Sequence, residues 1–257
     1  MSASTAVPTL SASGLGKRFG GVAALTDVSI ALRAGEILGL IGPNGSGKTT
    51  LLNLLSGYYP PTTGRIDCAG RPLDGRPVQA RAETGIARTF QKPRLLDALS
   101  VLDNTVIGGW RLARAGFLSS LLAGPRARTE MRDARRRAAA ILDGLGLGRS
   151  LHRRADSLDH GEQRLVEIAR ALALRPSFVL LDEPAGGLSD VEIERLETII
   201  RTVRDAGIGV LLVEHHTDLV FRLCDRVIAL DLGRTMKSGT PDEVRNDPDV
   251  IRTYLGA

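Results

Sequence analysis

Short runs of apolar residues recur along the chain and have the length of buried β-strands. Helix-like patterns separate several of these runs, and this alternation predicts an α/β fold with a largely parallel sheet. Two earlier segments, Val28–Leu32 and Gly64–Asp67, alternate between apolar and polar residues and predict a smaller antiparallel sheet near the N-terminus. The apolar runs are Glu36–Ile41, Ile86–Phe90, Phe178–Leu181, Gly209–Val213 and Val227–Asp231.

The middle of the chain, from about Ser100 to Arg175, has no strand pattern and predicts helices. One helix is indicated by apolar residues three or four positions apart, and the glycines of Gly144–Gly148 end it. A second helix is predicted over Gly161–Leu174, before Pro176. We therefore expect a helical insert within the α/β domain. The apolar stripe of the first helix is Met131, Ala134, Ala138, Ile141, Leu142 and Leu145.

Composition places the chain among ordinary globular proteins. Hydrophobic residues make up 43% of its 257 residues and charged residues 25%, which excludes a disordered chain and a disulfide-stapled scaffold. Cys68 and Cys224 are too few for a disulfide framework, so we expect a reducing compartment. No apolar run reaches the ~18 residues that span a bilayer. The first residues lack the pattern of a secretory signal, so a cytoplasmic location is expected.

The net charge of +5 allows more than one interpretation. Of the 34 basic residues only four are lysines, and a basic protein could favour nucleic acid or an anionic membrane. We favour an arginine-rich surface without either partner. A basic face on the predicted helix is interpreted as solvated, with contact to lipid head groups as the alternative. This face consists of Arg126, Arg128, Arg132, Arg135, Arg136 and Arg137.

A glycine-rich motif, LIGPNGSGKTT (Leu40–Thr50), directly follows an apolar strand and matches G-x-x-x-x-G-K-[ST]. Glycines at Gly42 and Gly47 let successive N–H groups turn toward phosphates without Cβ clashes. The following helix adds the positive end of its dipole. Lys48 supplies a charge for the β- and γ-phosphates, and the Thr49 hydroxyl can bind Mg²⁺. The motif therefore predicts nucleotide binding, against a glycine turn with a structural lysine.

The apolar strand in FVLLDEP (Phe178–Pro184) ends in two carboxylates. Neighbouring side chains of a strand point to opposite sides, so Asp182 and Glu183 can do different work. One can hold Mg²⁺ through its water shell, while the other faces the γ-phosphate and polarises a water. Alone, such a pair is more often a strand end that turns into solvent. Beside a phosphate loop, the functional interpretation is favoured.

Further motifs give the chain a recognisable order. Phe19 in KRFGG, Gln91 in ARTFQKPRL, LDHGEQ at Leu158–Gln163, and His215 in LLVEHH occur around the two motifs above. With them, the chain resembles an ATP-binding cassette subunit from about Leu10 to Leu255. Phe19 matches the aromatic residue that stacks on adenine, with a core residue of the small sheet as the alternative. LDHGEQ stands at the signature sequence LSGGQ.

This resemblance implies a P-loop NTPase (RecA-like) core with an N-terminal antiparallel β-subdomain and an inserted α-helical subdomain. We expect residues 9–98 and 176–238 to form the core with its β-subdomain. Residues 99–175 would form the helical subdomain with the signature, and residues 239–257 a C-terminal helical tail.

The resemblance also implies a head-to-tail dimer that closes on two ATP molecules. Glu183 would be the general base and His215 would contact the γ-phosphate, with His216 a bystander. Gln91 would sense the metal or attacking water, and Mg²⁺ would be held by Thr49, Asp182 and Gln91. The implied nucleotide contacts are Gly42, Pro43, Asn44, Gly45, Ser46, Gly47, Lys48, Thr49, Thr50, Phe19, Asp159, His160, Gly161 and Glu162.

Three residues depart from the family pattern. Asp159 stands where the signature carries serine, and His160 where it carries its first glycine. Asp159 with Glu162 is also typical of an N-cap pair. That would place a carboxylate near the site of a γ-phosphate, and like charges oppose binding. We therefore expect Asp159→Ser to raise ATPase activity or ATP-driven dimerisation. Ser189 stands where many cassettes carry aspartate in the loop that faces the partner subunit.

Several stretches resemble the ATP-binding subunits of branched-chain amino acid importers, of the larger partner type. They are LDHGEQRLVEIARAL, GLSD, the insert GGWRLARAGFLSSLLAGPRARTEM and the final SGTPDEVRNDPDVIRTYLGA. The implied partners are membrane permease subunits, a second ATPase (a paralogue or another copy) and, indirectly, a periplasmic solute-binding protein. The chain would then lie at the cytoplasmic face of a bacterial inner membrane, without nucleic acid.

Other functions remain open at the level of sequence. One is a cassette for export or lipopolysaccharide extraction. Another is a cassette acting on ribosomes or DNA, which is disfavoured because no second cassette, long coiled coil or zinc site is present in the sequence. A GTPase or small-molecule kinase would leave the signature and His215 unexplained.

Overall fold

The computed structural model describes residues 7–109 and 125–255 and confirms the predicted α/β fold. Its strands form two sheets, one of four strands and one of six. The strands within the described residues are β1 (Thr9–Phe19), β2 (Val22–Arg33), β3 (Ile37–Ile41), β4 (Thr63–Cys68), β5 (Arg71–Pro72), β6 (Ile86–Arg88), β7 (Phe178–Asp182), β8 (Gly209–Val213), β9 (Arg226–Asp231) and β10 (Arg234–Gly239).

The helices pack on the large sheet and form most of the middle segment of the chain. Several begin with a side-chain cap: Ser100 accepts a hydrogen bond from the amide of Asp103, and Thr240 forms a capping box with Glu243. The helices within the described residues are α1 (Lys48–Ser56), α2 (Val78–Glu83), α3 (Val101–Gly108), α4 (Pro125–Gly144), α5 (His160–Leu172), α6 (Asp190–Asp205), α7 (Thr217–Leu223), α8 (Pro241–Arg245) and α9 (Pro248–Leu255).

The large sheet has the strand order β10-β9-β3-β8-β7-β6 and is parallel except for β10. Its alternate residues serve two cores, because successive strand side chains point to opposite faces. Ile37 and Ile41 belong to the core beneath the helices that follow, whereas Leu38 and Leu40 pack with α1 and the small sheet. The continuous apolar runs in the sequence follow from burial on both faces.

Parallel packing brings the carboxyl ends of four strands to one edge of the sheet. The phosphate loop follows β3, Gln91 comes shortly after β6, Glu183 follows β7, and His215 comes shortly after β8. In open parallel sheets this edge is where ligands bind. The fold therefore assembles residues that are far apart in the sequence.

The small sheet is antiparallel in the order β2-β1-β4-β5, as predicted from the N-terminal alternation. Some predicted boundaries were wrong. β6 ends at Arg88 rather than Phe90, because the amide of Phe90 donates to Glu167 Oε1 at 3.1 Å rather than to a strand. The second helix begins at His160 and ends at Leu172, since Asp159 caps it.

Helices α3, α4 and α5 pack together in the middle of the chain. The predicted stripe of α4 is buried at Ala138, Leu142 and Leu145 but wrong at Met131, which is exposed near the start of the helix. On the basic face, Arg135 pairs with Asp103 at 2.7 Å. The side chain of residue 126 and residues 110–124 of the insert lie outside the described residues.

Among residues 7–109 and 125–255, no helix combines the length and apolar character needed to cross a lipid bilayer. The division of the chain after residues 98, 175 and 238 stays a prediction.

Candidate active site

The loop between β3 and α1 depends on glycine at two positions. Gly42 has φ 157° and Gly47 has φ 104°, a region that side chains disfavour. A Cβ at Gly42 would lie 2.4 Å from the Leu230 carbonyl, and one at Gly47 would lie 2.6 Å from Leu25 Cδ2. Any larger residue would push the loop outward, so the sequence motif and this tight turn require each other.

Lys48 folds back onto its own loop. Its ammonium donates to the carbonyls of Gly42 at 2.6 Å and Pro43 at 3.0 Å. Burial lowers the pKa of Lys48, and the nearby carboxylates of Glu183 and Asp182 oppose that shift. The buried hydroxyl of Ser46 has no hydrogen-bond partner. Phosphate oxygens would be stronger acceptors than these carbonyls, so the loop carries donors that suit a polyphosphate.

A cleft of about 180 Å³ opens over this loop. The loop, one residue of β2 and two residues from neighbouring strand ends form its walls. The helix that follows directs its N-terminal amides toward the same space, a favourable place for an anion. The lining residues are Ala24, Asn44, Gly45, Ser46, Gly47, Lys48, Thr49, Thr50, Glu183 and His215.

Glu183 contacts two other predicted site residues. Its Oε1 lies 2.5 Å from Nε2 of His215, and its Oε2 accepts a hydrogen bond from the Gln91 amide at 2.6 Å. The backbone of Glu183 is left-handed, with φ 49°, which is costly for a side chain of this size. Its amide donates to the Val213 carbonyl of β8 at 2.9 Å. The strained turn aims the carboxylate along the sheet edge.

Asp182 is turned away from Glu183 toward Arg88. The Asp182 and Arg88 side chains form an ion pair at 3.0 Å, and each is 7% exposed. Burial raises the pKa of Asp182, and the hydrogen bond from Arg88 opposes that shift. Arg88 also donates to Asn53 Oδ1 and Ser56 Oγ, so one guanidinium joins β6, β7 and α1. Sequence reasoning missed Arg88, because an arginine within ARTF carries no local mark of this pairing.

The donors present fit a magnesium ion that is held mainly by substrate. No group of three His, Cys, Asp or Glu able to hold a metal occurs in the described part of the chain. Mg²⁺, however, usually takes one or two protein oxygens and completes its shell with phosphates and water. The Thr49 hydroxyl at the cleft and the Asp182 carboxylate near Lys48 are such oxygens.

The signature segment lies apart from the cleft, and none of Asp159, His160, Gly161 and Glu162 lines it. Asp159 accepts a hydrogen bond from the Glu162 amide at 2.7 Å and so caps α5, as predicted. The Glu162 side chain does not return to the cap, because it binds Ser150 and Arg153 instead.

The signature turn packs against the loop that follows Glu183. His160 Nε2 lies 3.1 Å from the Gly186 carbonyl. A Cβ at Gly161 would lie 2.1 Å from Glu192 Oε1, so a side chain there would displace the Glu192 carboxylate. Ser189 binds the same Glu192 in a capping box that begins α6. At this position, serine therefore has a local structural role.

Phe19 also lies outside the walls of the cleft. It ends β1 and is 44% exposed, so it is not a core residue of the small sheet. Its ring meets Tyr59 edge to face at 5.4 Å between centroids, and the Lys17 ammonium lies 5.1 Å from its centroid. Its stacking on adenine stays a prediction.

Together, the strand, glycine loop, lysine and acidic strand end define a P-loop nucleoside triphosphatase. A family model described as ABC transporter matches residues 25–186. A second, described as branched-chain amino acid ATP-binding cassette transporter, matches residues 238–257. The chain belongs to the ABC transporter family and is an ATP-hydrolysing transport subunit. Membership of this family implies that the chain has membrane permease partners.

Curated relatives match almost the whole chain. The high-affinity branched-chain amino acid transport ATP-binding protein LivG of Salmonella typhimurium is 42% identical over 250 residues, covering 97% of this chain and 98% of the relative. BraF of Pseudomonas aeruginosa, which has the same description, is 38% identical with the same coverage. The lipopolysaccharide export system ATP-binding protein LptB of Acidithiobacillus ferridurans is 35% identical, and the match covers 90% of this chain and 89% of that relative. The two branched-chain amino acid transport relatives are thus more similar to this chain than the export relative is.

Solved structures agree with the fold. A crystal structure of an ATP-binding cassette of an ABC transporter in its ADP conformation has a TM-score of 0.85 and 30% identity. It covers 98% of this chain and 100% of that one. The predicted nucleotide-binding cassette fold is therefore confirmed.

Proposed function

We propose that this chain energises the import of branched-chain amino acids or related small solutes, as the ATPase subunit of a membrane transporter. The observation that carries the enzymatic part is the placement of Glu183 between Gln91 and His215 at the wall of the phosphate cleft. The solute class is supported by the LivG and BraF relatives and by the match at residues 238–257.

In the proposed chemistry, the residues Gly42–Thr50 bind the phosphates of ATP and Phe19 stacks on adenine. Mg²⁺, held by Thr49 and Asp182 with Gln91 nearby, would neutralise charge on the β- and γ-phosphates. Glu183 accepts a proton from the attacking water, because its carboxylate faces the cleft. His215 contacts the γ-phosphate and orients Glu183 through their short contact.

The active unit is a dimer with a second ATPase subunit, either a paralogue or another copy. Its support is that the signature residues do not line the cleft of their own chain, where His160 instead contacts the Gly186 carbonyl. A facing subunit would bring its own signature to the cleft. Here Asp159, His160, Gly161 and Glu162 would approach the nucleotide of the partner.

The permease would dock at a groove of about 250 Å³, which we name the Phe90 groove. It lies beside Gln91, so an occupant could move the segment that contacts Glu183. This docking would hold the chain at the cytoplasmic face of the inner membrane, and the periplasmic solute-binding protein would act only through the permease. The groove is lined by Ser56, Tyr58, Val78, Ala82, Ile86, Ala87, Arg88, Phe90, Gly108, Glu167, Arg170, Ala171 and Leu174.

The test is uptake by the reconstituted transporter. The chain would be purified with the permease subunits that copurify with it and placed in proteoliposomes with Mg-ATP. We expect ATP-dependent accumulation of labelled leucine with solute-binding protein present, and none with Lys48→Ala. ATP hydrolysis without accumulation of leucine, isoleucine, valine, urea, amides or aromatic acids would contradict an import function.

A further inference from the structure

A fully buried carboxylate, Glu214, follows β8 and has no part in the proposed chemistry. Glu214 is only 1% exposed and directly precedes His215. The strand β8 pairs in parallel with β7, which leads into Glu183. Glu214 is therefore placed behind both residues that meet at the cleft.

Each oxygen of Glu214 binds one of the two segments. Oε1 accepts a hydrogen bond from the amide of Ala185 at 2.7 Å, and Oε2 accepts one from the amide of His215 at 3.2 Å. Ala185 itself is 1% exposed and lies two residues after Glu183. A single side chain thus ties the turn after Glu183 to the start of the His215 segment.

This tie matters because the turn at Glu183 is strained. Its left-handed backbone is costly for a non-glycine residue and persists only where surrounding contacts hold it. Those contacts are the bond from the Glu183 amide to Val213 and the bond from Ala185 to Glu214. Without the carboxylate, the buried amide of Ala185 would lose its acceptor.

The surroundings of Glu214 suit a buried charge. The Arg164 guanidinium on α5 interacts electrostatically with Glu214 and Glu183, and His216 interacts electrostatically with Glu214. Burial raises the pKa of Glu214, while the two amide hydrogen bonds oppose that shift. Arg164 also donates to the Phe90 carbonyl, next to Gln91.

We propose that Glu214 is a positioning residue that holds Glu183 and His215 in their mutual geometry. It acts through those two residues and does not contact the nucleotide. The inference rests on the roles proposed above for Glu183 and His215, and it goes beyond them by naming the group that sets their distance.

The first experiment compares Glu214→Gln with a matched control, Glu36→Gln. Glu36 is also a buried carboxylate, which accepts from the Arg33 amide and pairs with Arg226, away from the cleft. We expect Glu214→Gln to lower kcat at least tenfold while the Kd for ATP stays within twofold, because glutamine can accept only one of the two amides. Glu36→Gln should leave kcat unchanged.

The second experiment repeats Glu214→Gln in a His215→Ala background. If Glu214 works through His215, its replacement should cost less than threefold there, since part of what it positions is gone. An equal fold loss in both backgrounds, or a parental kcat in Glu214→Gln, would overturn the inference. Should Glu214→Gln not fold, Glu214→Asp carries the same test, because its shorter side chain cannot reach both amides.

These measurements separate two failures. Parental turnover in both Glu183→Gln and His215→Ala would overturn the proposed roles of those residues, and the inference with them. Reduced turnover in those variants with normal turnover in Glu214→Gln would overturn the inference alone.

Discussion

His215 Nε2 lies 2.5 Å from Glu183 Oε1, at the wall of the phosphate cleft. The two residues follow adjacent parallel strands, so the sheet brings them to the same edge. Gln91 occupies the other oxygen of the same carboxylate. Each oxygen of Glu183 thus contacts a different segment, and this makes the carboxylate responsive to both segments.

Glu183→Gln should preserve ATP binding and abolish turnover. Glutamine keeps the shape but cannot accept the proton, and a general base contributes about 10²–10⁴-fold in rate. We also expect a stable ATP-bound dimer, measured by light scattering after gel filtration. Glu197→Gln, which removes a carboxylate paired with Arg222, serves as the control and should hydrolyse normally. Parental turnover in Glu183→Gln would show that another group is the base.

Lys48→Ala should weaken nucleotide binding itself. The ammonium would bond charged phosphates, and such bonds contribute about 1.5–3 kcal/mol, or roughly 10–100-fold in Kd. Titration with a fluorescent ATP analogue measures the loss. An unchanged Kd would contradict the phosphate contact.

The same titration should depend on pH. Burial lowers the pKa of Lys48 below the ordinary lysine value of 10.5, so its charge is lost earlier as pH rises. Affinity of the parental protein should therefore fall as pH rises, at a lower pH than an unshifted lysine would cause. The Lys48→Ala variant should lack this loss of affinity with rising pH. An identical dependence of Kd on pH in both proteins would argue against a role for the Lys48 charge.

Asp159→Ser should raise ATPase activity or ATP-driven dimerisation. Serine preserves the N-cap of α5 while it removes a carboxylate from the surface offered to the partner's nucleotide. Relief of about 1 kcal/mol of repulsion would correspond to roughly a fivefold change. Asp156→Ser, at an exposed carboxylate that pairs with Arg154, is the control. Equal or lower activity of Asp159→Ser in the purified dimer would count against the repulsion.

Arg88→Gln should raise the Mg²⁺ concentration needed for half-maximal nucleotide binding by about tenfold. The buried Asp182 carboxylate would lose its cationic partner, and breaking such a pair also lowers the free energy of unfolding by about 3–5 kcal/mol. Nucleotide binding in EDTA should stay unchanged. Arg94→Gln, which removes a guanidinium stacked on Phe90, is the matched control. Unaltered Mg²⁺ dependence in Arg88→Gln would show that Arg88 does not prepare Asp182.

The sequence predicted what depends on short stretches of chain. The phosphate loop, the acidic strand end and the Asp159 cap each combine residues that are neighbours along the chain. Their residue types suffice, because a glycine turn or an N-cap is a local structure. The order of motifs then indicated the family.

Long-range pairs were not predictable in the same way. Arg88 and Asp182 meet only because β6 and β7 are adjacent in the sheet, and Glu214 meets Ala185 across β7 and β8. Glu162 looked like the second half of a capping box, but Arg153 and Ser150 offer it better partners. Such pairings become visible only when strand order is known.

The left-handed backbone at Glu183 has an evolutionary consequence. Glycine adopts that conformation without strain, and asparagine does so more readily than glutamate. If Glu183 is the proposed general base, selection for turnover works against the conformational preference of that position. In duplicated genes that are no longer selected for transport, residue 183 should change to glycine or asparagine sooner than residue 182 changes. The proteins with such a change should have a higher melting temperature.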